Sequence, residues 1–346
     1  MRLPAIDGMR GVAAIVVALF HAHEILGWQP APGGYLAVDL FFVLSGAVIV
    51  HAYAPRLRDG MSFRSYMGRR LLRFLPMHVL GHLVGVVLAV ALWTTDSKDA
   101  RAPADILASV VLGLAFLPYP LPNAMFPLNV PTWSLLYEIV ANAAYGRRHR
   151  ACTAARLRAV AIPLGLLLLV GIVVHGHADA GMTLRDVPLA TLRTGFAFAV
   201  GGWLVQAPRP STTHTATHPL VLSACAILPM LVPVTGVART ALDATMVLIG
   251  FPWVVRSMLA LPAGESRPTA GEHTLAVMGD ASFGVYALHW PLLWLWNGVA
   301  RRLGVDPAFG VWVGLAALVV GCAWFERVVE RPVRAHLTAR WFSARS

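Results

Sequence analysis

Charge is scarce in this sequence. Only 13% of its 346 residues are Asp, Glu, Lys or Arg, and Lys98 is the single lysine. An average soluble domain carries about 25%. A soluble globule of this size needs more charge than this to cover itself, which argues against a water-soluble enzyme and a disordered tail. It also argues against a nucleic-acid module, in spite of the net charge of +11. Cysteine is scarce too. Cys152, Cys225 and Cys322 are odd in number and widely spaced, so neither a disulfide framework nor a zinc site is expected. Internal repeats and low-complexity tracts are lacking, as is the inverted pair of broken helices that marks many secondary transporters.

What the chain has in excess is apolar sequence, at 57%. A membrane-spanning helix needs about 20 mainly apolar residues. Ten runs meet that description: 11–27, 34–53, 75–93, 130–146, 159–175, 187–205, 219–235, 238–258, 274–297 and 308–326. A shorter piece, 106–118, suits a re-entrant or interfacial segment. The first run lacks a small-residue cleavage site and is followed by others, so it is not read as a signal peptide. Ten spans with an internal N-terminus place 21 of the 28 basic residues on the inner side. This is the cytoplasmic bias of a multi-pass protein. The expectation is an all-α helical bundle in the cell membrane: one domain over 1–346, about ten transmembrane helices, both termini cytoplasmic. The loop 54–74 is then cytoplasmic and Arg-rich. Residues 94–129 are external and end in a Pro-rich stretch, 117–131, read as a cleft lining or a surface loop.

Ionisable residues inside spans are costly and therefore functional candidates. His21 and Glu24 fall in the first run, Asp39 in the second, Glu138 in the fourth, Arg193 in the sixth, Asp243 in the eighth, and Asp280 and His289 in the ninth. Arg10 and His21 are eleven residues apart, about three helical turns, so they share a face some 16 Å apart along the axis. His21 is either a general base or a histidine bonded to a neighbouring helix. Asp39 lies at similar depth in the next run. It either holds the His21 imidazole, in the manner of a triad, or sits at a helix N-terminus stabilised by the dipole. Glu24, three residues on, can also reach His21, whereas His23 points away.

Within 63–76, Arg69, Arg70 and Arg73 lie inside two helical turns. Arg forks suit phosphate, so this segment is a phosphate clamp or an anchor on anionic lipid. Ser134 and Glu138 are i, i+4 neighbours on one helix face and form a site or a packing contact. His78 and His82 have metal-like spacing, but no carboxylate or cysteine lies near in sequence to complete a set, and no metal is expected.

These motifs resemble, in order, those of the acyltransferase 3 family of integral membrane O-acyltransferases. Ile6–His21 resembles the opening segment with its basic residue, ten intervening positions and histidine, here Arg10 and His21. Gly33–Gly46, with Asp39, resembles the second motif. Phe63–Pro76 matches an Arg-x-x-Arg motif at Arg70 and Arg73. Trp133–Glu138 resembles a Trp-Ser-Leu-x-x-Glu motif, and Ser282–Pro291 and Phe325–Arg334 resemble the last two blocks. The resemblance covers nearly the whole chain.

The resemblance implies transfer of an acyl group, often acetyl from acetyl-CoA, to a hydroxyl of a carbohydrate such as a cell-envelope polysaccharide or glycolipid. His21 would be catalytic with Asp39 and Glu138. Arg10, Arg70, Arg73, Ser134 and His289 would bind substrates. The acyl-CoA is a donor substrate, and no permanently bound cofactor is expected. About 20 residues follow the last apolar run, so the extracytoplasmic hydrolase-like domain of many relatives is expected to be missing. Two other readings stay open: a secondary-metabolite acceptor and, in another class, a small-solute transporter.

Overall fold

A computed structural model of the chain describes residues 4–119, 123–208, 218–261 and 270–342. Arg2, Arg209, Arg267 and Arg345 of the charge count, and residues 120–122 of the Pro-rich stretch, lie outside them. Among the described residues the protein is helical, with no β-strand. The helices are α1 (Pro4–His21), α2 (His23–Leu26), α3 (Ala37–Arg58), α4 (Phe63–Thr94), α5 (Pro103–Leu114), α6 (Thr132–Arg148), α7 (Ala154–His175) and α8 (Val187–Gln206). They continue as α9 (Pro219–Leu231), α10 (Gly236–Thr245), α11 (Phe251–Ala260), α12 (Ala270–Leu303), α13 (Pro307–Phe325) and α14 (Arg331–Phe342). One π-helical stretch, Met246–Gly250, joins α10 to α11, and another, Glu326–Glu330, joins α13 to α14.

Each of the ten apolar runs is largely helical, although 219–235 is helical only over Pro219–Leu231. Among the described residues, five helical stretches are long and apolar enough to cross a membrane: Gly34–Arg58, Phe63–Thr94, Ala154–His175, Gly236–Ala260 and Pro307–Arg340. The outer faces agree with a lipid solvent. Val174, Leu166, Val173 and Val320 are each 60% or more exposed, while Asp39, Arg193, Asp243 and His289 are fully buried. Apolar side chains outside and ionisable ones inside is the arrangement that a hydrocarbon surround favours.

The sequence places a loop at 54–74, and here the structure differs. Only residues 59–62 separate α3 from α4. The Ser62 side chain caps α4 by accepting a hydrogen bond from the Ser65 amide at 3.1 Å, which satisfies an end donor of the helix. Gly60 supplies the positive φ, +102°, that the tight turn requires. The arginines of this segment therefore ride on two rigid helical turns rather than on a loop. The short piece expected at 106–118 is α5, a twelve-residue helix.

Two parallel helix pairs position the interior. A Cβ on Gly8 would strike Leu275, one on Gly11 would strike the Met278 backbone, and one on Gly279 would strike Asp7. Glycine thus lets α1 and α12 meet backbone to backbone, as small residues do between membrane helices. The register carries upward from Gly8–Leu275 and Gly11–Met278 to His21–His289. Helices α3 and α8 meet in the same way, with Gly46 against Phe198 and Gly201 against Val43.

Candidate active site

The α1–α12 register brings two histidines together that are 268 residues apart. Nε2 of His289 lies 3.2 Å from Nδ1 of His21, with ring centroids 5.1 Å apart. His21 is the last residue of α1, and its Nδ1 also lies 3.0 Å from the Val17 carbonyl. His289 is fully buried. The helix around it is held by unusual means. Pro291 has no amide proton to offer the Ala287 carbonyl; the Asn129 side chain donates to that carbonyl instead, at 2.8 Å. One turn earlier, the hydroxyls of Tyr286 and Ser134 are 2.7 Å apart. Ser134 also donates to the Pro131 carbonyl at 3.1 Å. Asn129, just before α6, and Ser134, in its first turn, thereby fix the stretch of α12 that carries His289.

At the other end of α1 lies a cavity of about 450 Å³ between α1, α3, α4 and α14. Seven arginines line it, Arg10, Arg56, Arg69, Arg70, Arg73, Arg331 and Arg334, against one acid, Asp7. A second cavity of about 230 Å³ shares Asp7, Arg73, Arg331 and Arg334 with the first and adds His51, Asp280, Glu326 and Glu330. The arginines are not equivalent. Arg331 is held by Asp280 at 2.7 Å and Arg334 by Glu326 and Glu330, each at 2.8 Å. Arg70 donates to Glu138 at 3.1 Å. Arg10 and Arg73 have no ion-pair partner among the described residues. Nε of Arg10 and Nε of Arg70 are buried without an acceptor. Such orphaned donors carry a penalty that an anion relieves.

The remaining sequence candidates are placed as follows. Asp39 does not hold His21. Nε of Arg193 donates to Oδ1 of Asp39 at 2.9 Å, and Nη2 donates to Oδ2 at 2.6 Å. Arg193 also donates to the backbone carbonyls of Ala180 and Tyr35. The expectation overlooked this pairing because parallel contact of α3 with α8 leaves no trace in local spacing. Burial pushes the Asp179 carboxyl up, in the turn before α8, while Arg193 pulls it back. A second network surrounds Asp243, which accepts from Tyr35 at 2.7 Å, the Ala178 amide at 2.8 Å and Nε of Arg239; Nη1 and Nη2 of Arg239 are buried without a hydrogen-bond acceptor.

Ser134 and Glu138 share a helix face but not a partner. Glu138 accepts from Ser45 at 2.5 Å and from Arg70, so it belongs with the arginine cavity rather than with Ser134. Glu24 is exposed, and His23 Nδ1 lies 2.9 Å from the Phe20 carbonyl. His78 and His82 are used internally: His78 Nε2 is 3.0 Å from the Gly113 carbonyl, and His82 Nδ1 is 3.0 Å from the His78 carbonyl. Among the described residues no group of three metal-ligating side chains converges.

Two features escaped the sequence reading. Arg331 and Arg334 are read there only as part of a terminal block, yet they form a wall of the cavity; their i, i+3 spacing after the last apolar run was the available signal. The pairing of His21 with His289 had no signal in local sequence at all.

Known proteins resemble this chain in sequence. The acyltransferase 3 family, described as an acyltransferase domain, matches residues 3–327. "Protein 2 in picA locus" of Rhizobium radiobacter is 37% identical over 158 residues, 42% of this chain and 82% of that protein. A "Putative O-acetyltransferase" of Staphylococcus aureus (strain COL) is 31% identical over 110 residues, 31% of this chain and 17% of its own length. A "Putative peptidoglycan O-acetyltransferase" of Bacillus subtilis (strain 168) is 35% identical over 91 residues, 25% of this chain and 14% of its own. The matches to these two O-acetyltransferases thus span less than a fifth of their length. No solved structure matches the chain. With a helical interior that buries its charges and a family match over almost its entire length, the chain belongs to the acyltransferase 3 family and is a membrane enzyme that transfers acyl groups.

Proposed function

We propose that the protein transfers an acyl group, acetyl in the first instance, from acyl-CoA to a hydroxyl of a cell-envelope carbohydrate. The observation that carries the reading is the layout of α1. Arg10, without an ion-pair partner, lines an arginine cavity at one end, and His21, the last residue, stands at the other. Eleven residues of helix separate them by about 16 Å. A donor with several phosphates and a long linear arm ending in a thioester suits that layout. Phosphates would lie on Arg10, Arg69 and Arg73, with Arg70 oriented by Glu138. The arm would run along α1 towards His21.

The chemistry at His21 is a proton transfer coupled to acyl transfer. The unoccupied imidazole nitrogen takes the proton from the acceptor hydroxyl. The acceptor oxygen forms a bond to the thioester carbonyl carbon, the carbon–sulfur bond breaks, and the departing thiolate takes the proton back from the imidazolium. Asp39 serves the fold through Arg193, and Ser134 serves it through Tyr286. The names of the Staphylococcus and Bacillus relatives support oxygen as the acceptor atom, and the Bacillus name alone supports a cell-wall glycan as its class.

The same reading includes ten spans with both ends on the cytoplasmic side. The start of α1, the end of α3, the start of α4, the π-helical stretch Glu326–Glu330 and α14 all meet at the two adjoining cavities, which supports a single basic face turned towards cytosolic donor.

The test is transfer of radiolabelled acetyl from acetyl-CoA to envelope glycans in membranes carrying wild type or His21→Ala at matched expression. Loss of a general base lowers the rate by about 10²–10⁴. Label that persists in His21→Ala contradicts the assignment. Label that goes instead to a secondary metabolite corrects the acceptor and leaves the site unchanged.

A further inference from the structure

We infer that His289 is a positioning residue that acts through His21, holding its Nδ1–H and leaving its Nε2 as the reactive nitrogen. The inference rests on the reading of His21 as the base, but its structural half stands on hydrogen-bond geometry alone.

His289 Nδ1 lies 3.1 Å from the Val285 carbonyl and 2.9 Å from the Tyr286 carbonyl. Carbonyl oxygens only accept, so this nitrogen carries the proton. In a neutral imidazole the other nitrogen is then a lone pair, and Nε2 of His289 is an acceptor. It faces Nδ1 of His21 at 3.2 Å. That same Nδ1 faces the Val17 carbonyl at 3.0 Å, a second acceptor. With acceptors on both sides, Nδ1 of His21 carries the proton and shares it between them. The lone pair of His21 is left on Nε2.

This assigns to a neutral histidine the task that a carboxylate performs in a serine-protease triad, which is to set the tautomer of the base and support its imidazolium. A neutral partner suits a buried site, where a second ion would carry its own desolvation cost. The surroundings hold His289 in place: Asn129 secures the Ala287 carbonyl that Pro291 leaves free, and the Ser134–Tyr286 contact anchors the turn before it. The Pro291 defect two residues after His289 is thereby part of the device, because it ties this stretch of α12 to the segment leading into α6.

The experiment combines nitrogen NMR with kinetics on the full chain in lipid. With ¹⁵N-labelled histidine, wild type should show both rings protonated on Nδ1, together with a through-hydrogen-bond coupling between His21 Nδ1 and His289 Nε2. Signals are assigned by their loss in His21→Ala and His289→Phe. In acyl transfer, His289→Phe should lower kcat by about 10–100-fold, the usual cost of removing a group that orients another, with the donor KM within about twofold. His289→Gln should recover a large part of that loss, since its side-chain carbonyl can accept the same hydrogen bond. A wild-type His289 protonated on Nε2 overturns the inference. So does an unchanged kcat in His289→Phe, or a His289→Gln no better than His289→Phe. If wild type transfers no acyl group to any hydroxyl, the functional reading fails, and the NMR result still decides the hydrogen bond.

Discussion

Arg193 and the cavity arginines meet α3 at its opposite ends and are treated in opposite ways. Arg193, fully buried, spends its donors on both oxygens of Asp39 and on backbone carbonyls of Ala180 and Tyr35. Arg10 and Arg73 line an open cavity and have no ion-pair partner among the described residues. The first arrangement is closed, with nothing left to offer a ligand. The second leaves donors unused in a basic enclosure. Burial and charge alone do not mark a binding site; unused hydrogen-bonding capacity facing an open cavity does.

The strongest way to break the comparison is to strand the closed pair. Asp39→Ala leaves Arg193 buried without its counter-ion, and breaking a buried pair costs about 3–5 kcal/mol. The expected outcome is loss of folded protein, read by melting temperature and yield in detergent. Replacing Asp39 and Arg193 together with apolar residues should recover much of the stability, because no charge is then left unpaired. The open set should respond the other way round. Arg10→Ala or Arg73→Ala removes a charge-assisted hydrogen bond worth about 1.5–3 kcal/mol. Donor affinity should therefore fall about tenfold to a hundredfold while the melting temperature stays put.

Smaller effects sharpen the gradation. Glu138→Gln weakens the hold on Arg70, and donor KM should rise a few-fold with the fold intact. Arg331→Ala should matter least, under about fivefold, because Asp280 already occupies its guanidinium and partly exposed pairs contribute about 1 kcal/mol or less. Raising ionic strength should weaken donor binding without lowering stability, since open charges are screened and the buried pair is not.

The fold class was legible because membrane helices announce themselves by length and apolarity; each apolar run is largely helical. The Arg10–His21 relation was legible too, being internal to one helix. What was hidden depends on contact between distant helices. For Asp39 two readings stood, a hold on His21 or a place at a helix N-terminus; it lies in the first turn of α3, and glycine-mediated packing of α3 on α8 delivers its carboxylate to Arg193. His289 was picked out as an intramembrane histidine, but its partner was set by the glycines of α1 and α12. Residues 63–74 read as a loop because arginine interrupts the hydropathy, although a serine cap and good helix formers extend α4 through them.

On the proposed function, arginines without an ion-pair partner at the foot of α1 hold the donor that His21 uses. Equilibrium binding of CoA to purified protein in detergent tests it most directly, comparing wild type, Arg10→Ala and Arg73→Ala. The account predicts affinity about tenfold to a hundredfold weaker in each variant, at unchanged melting temperature. Equal affinity in all three folded proteins would contradict it.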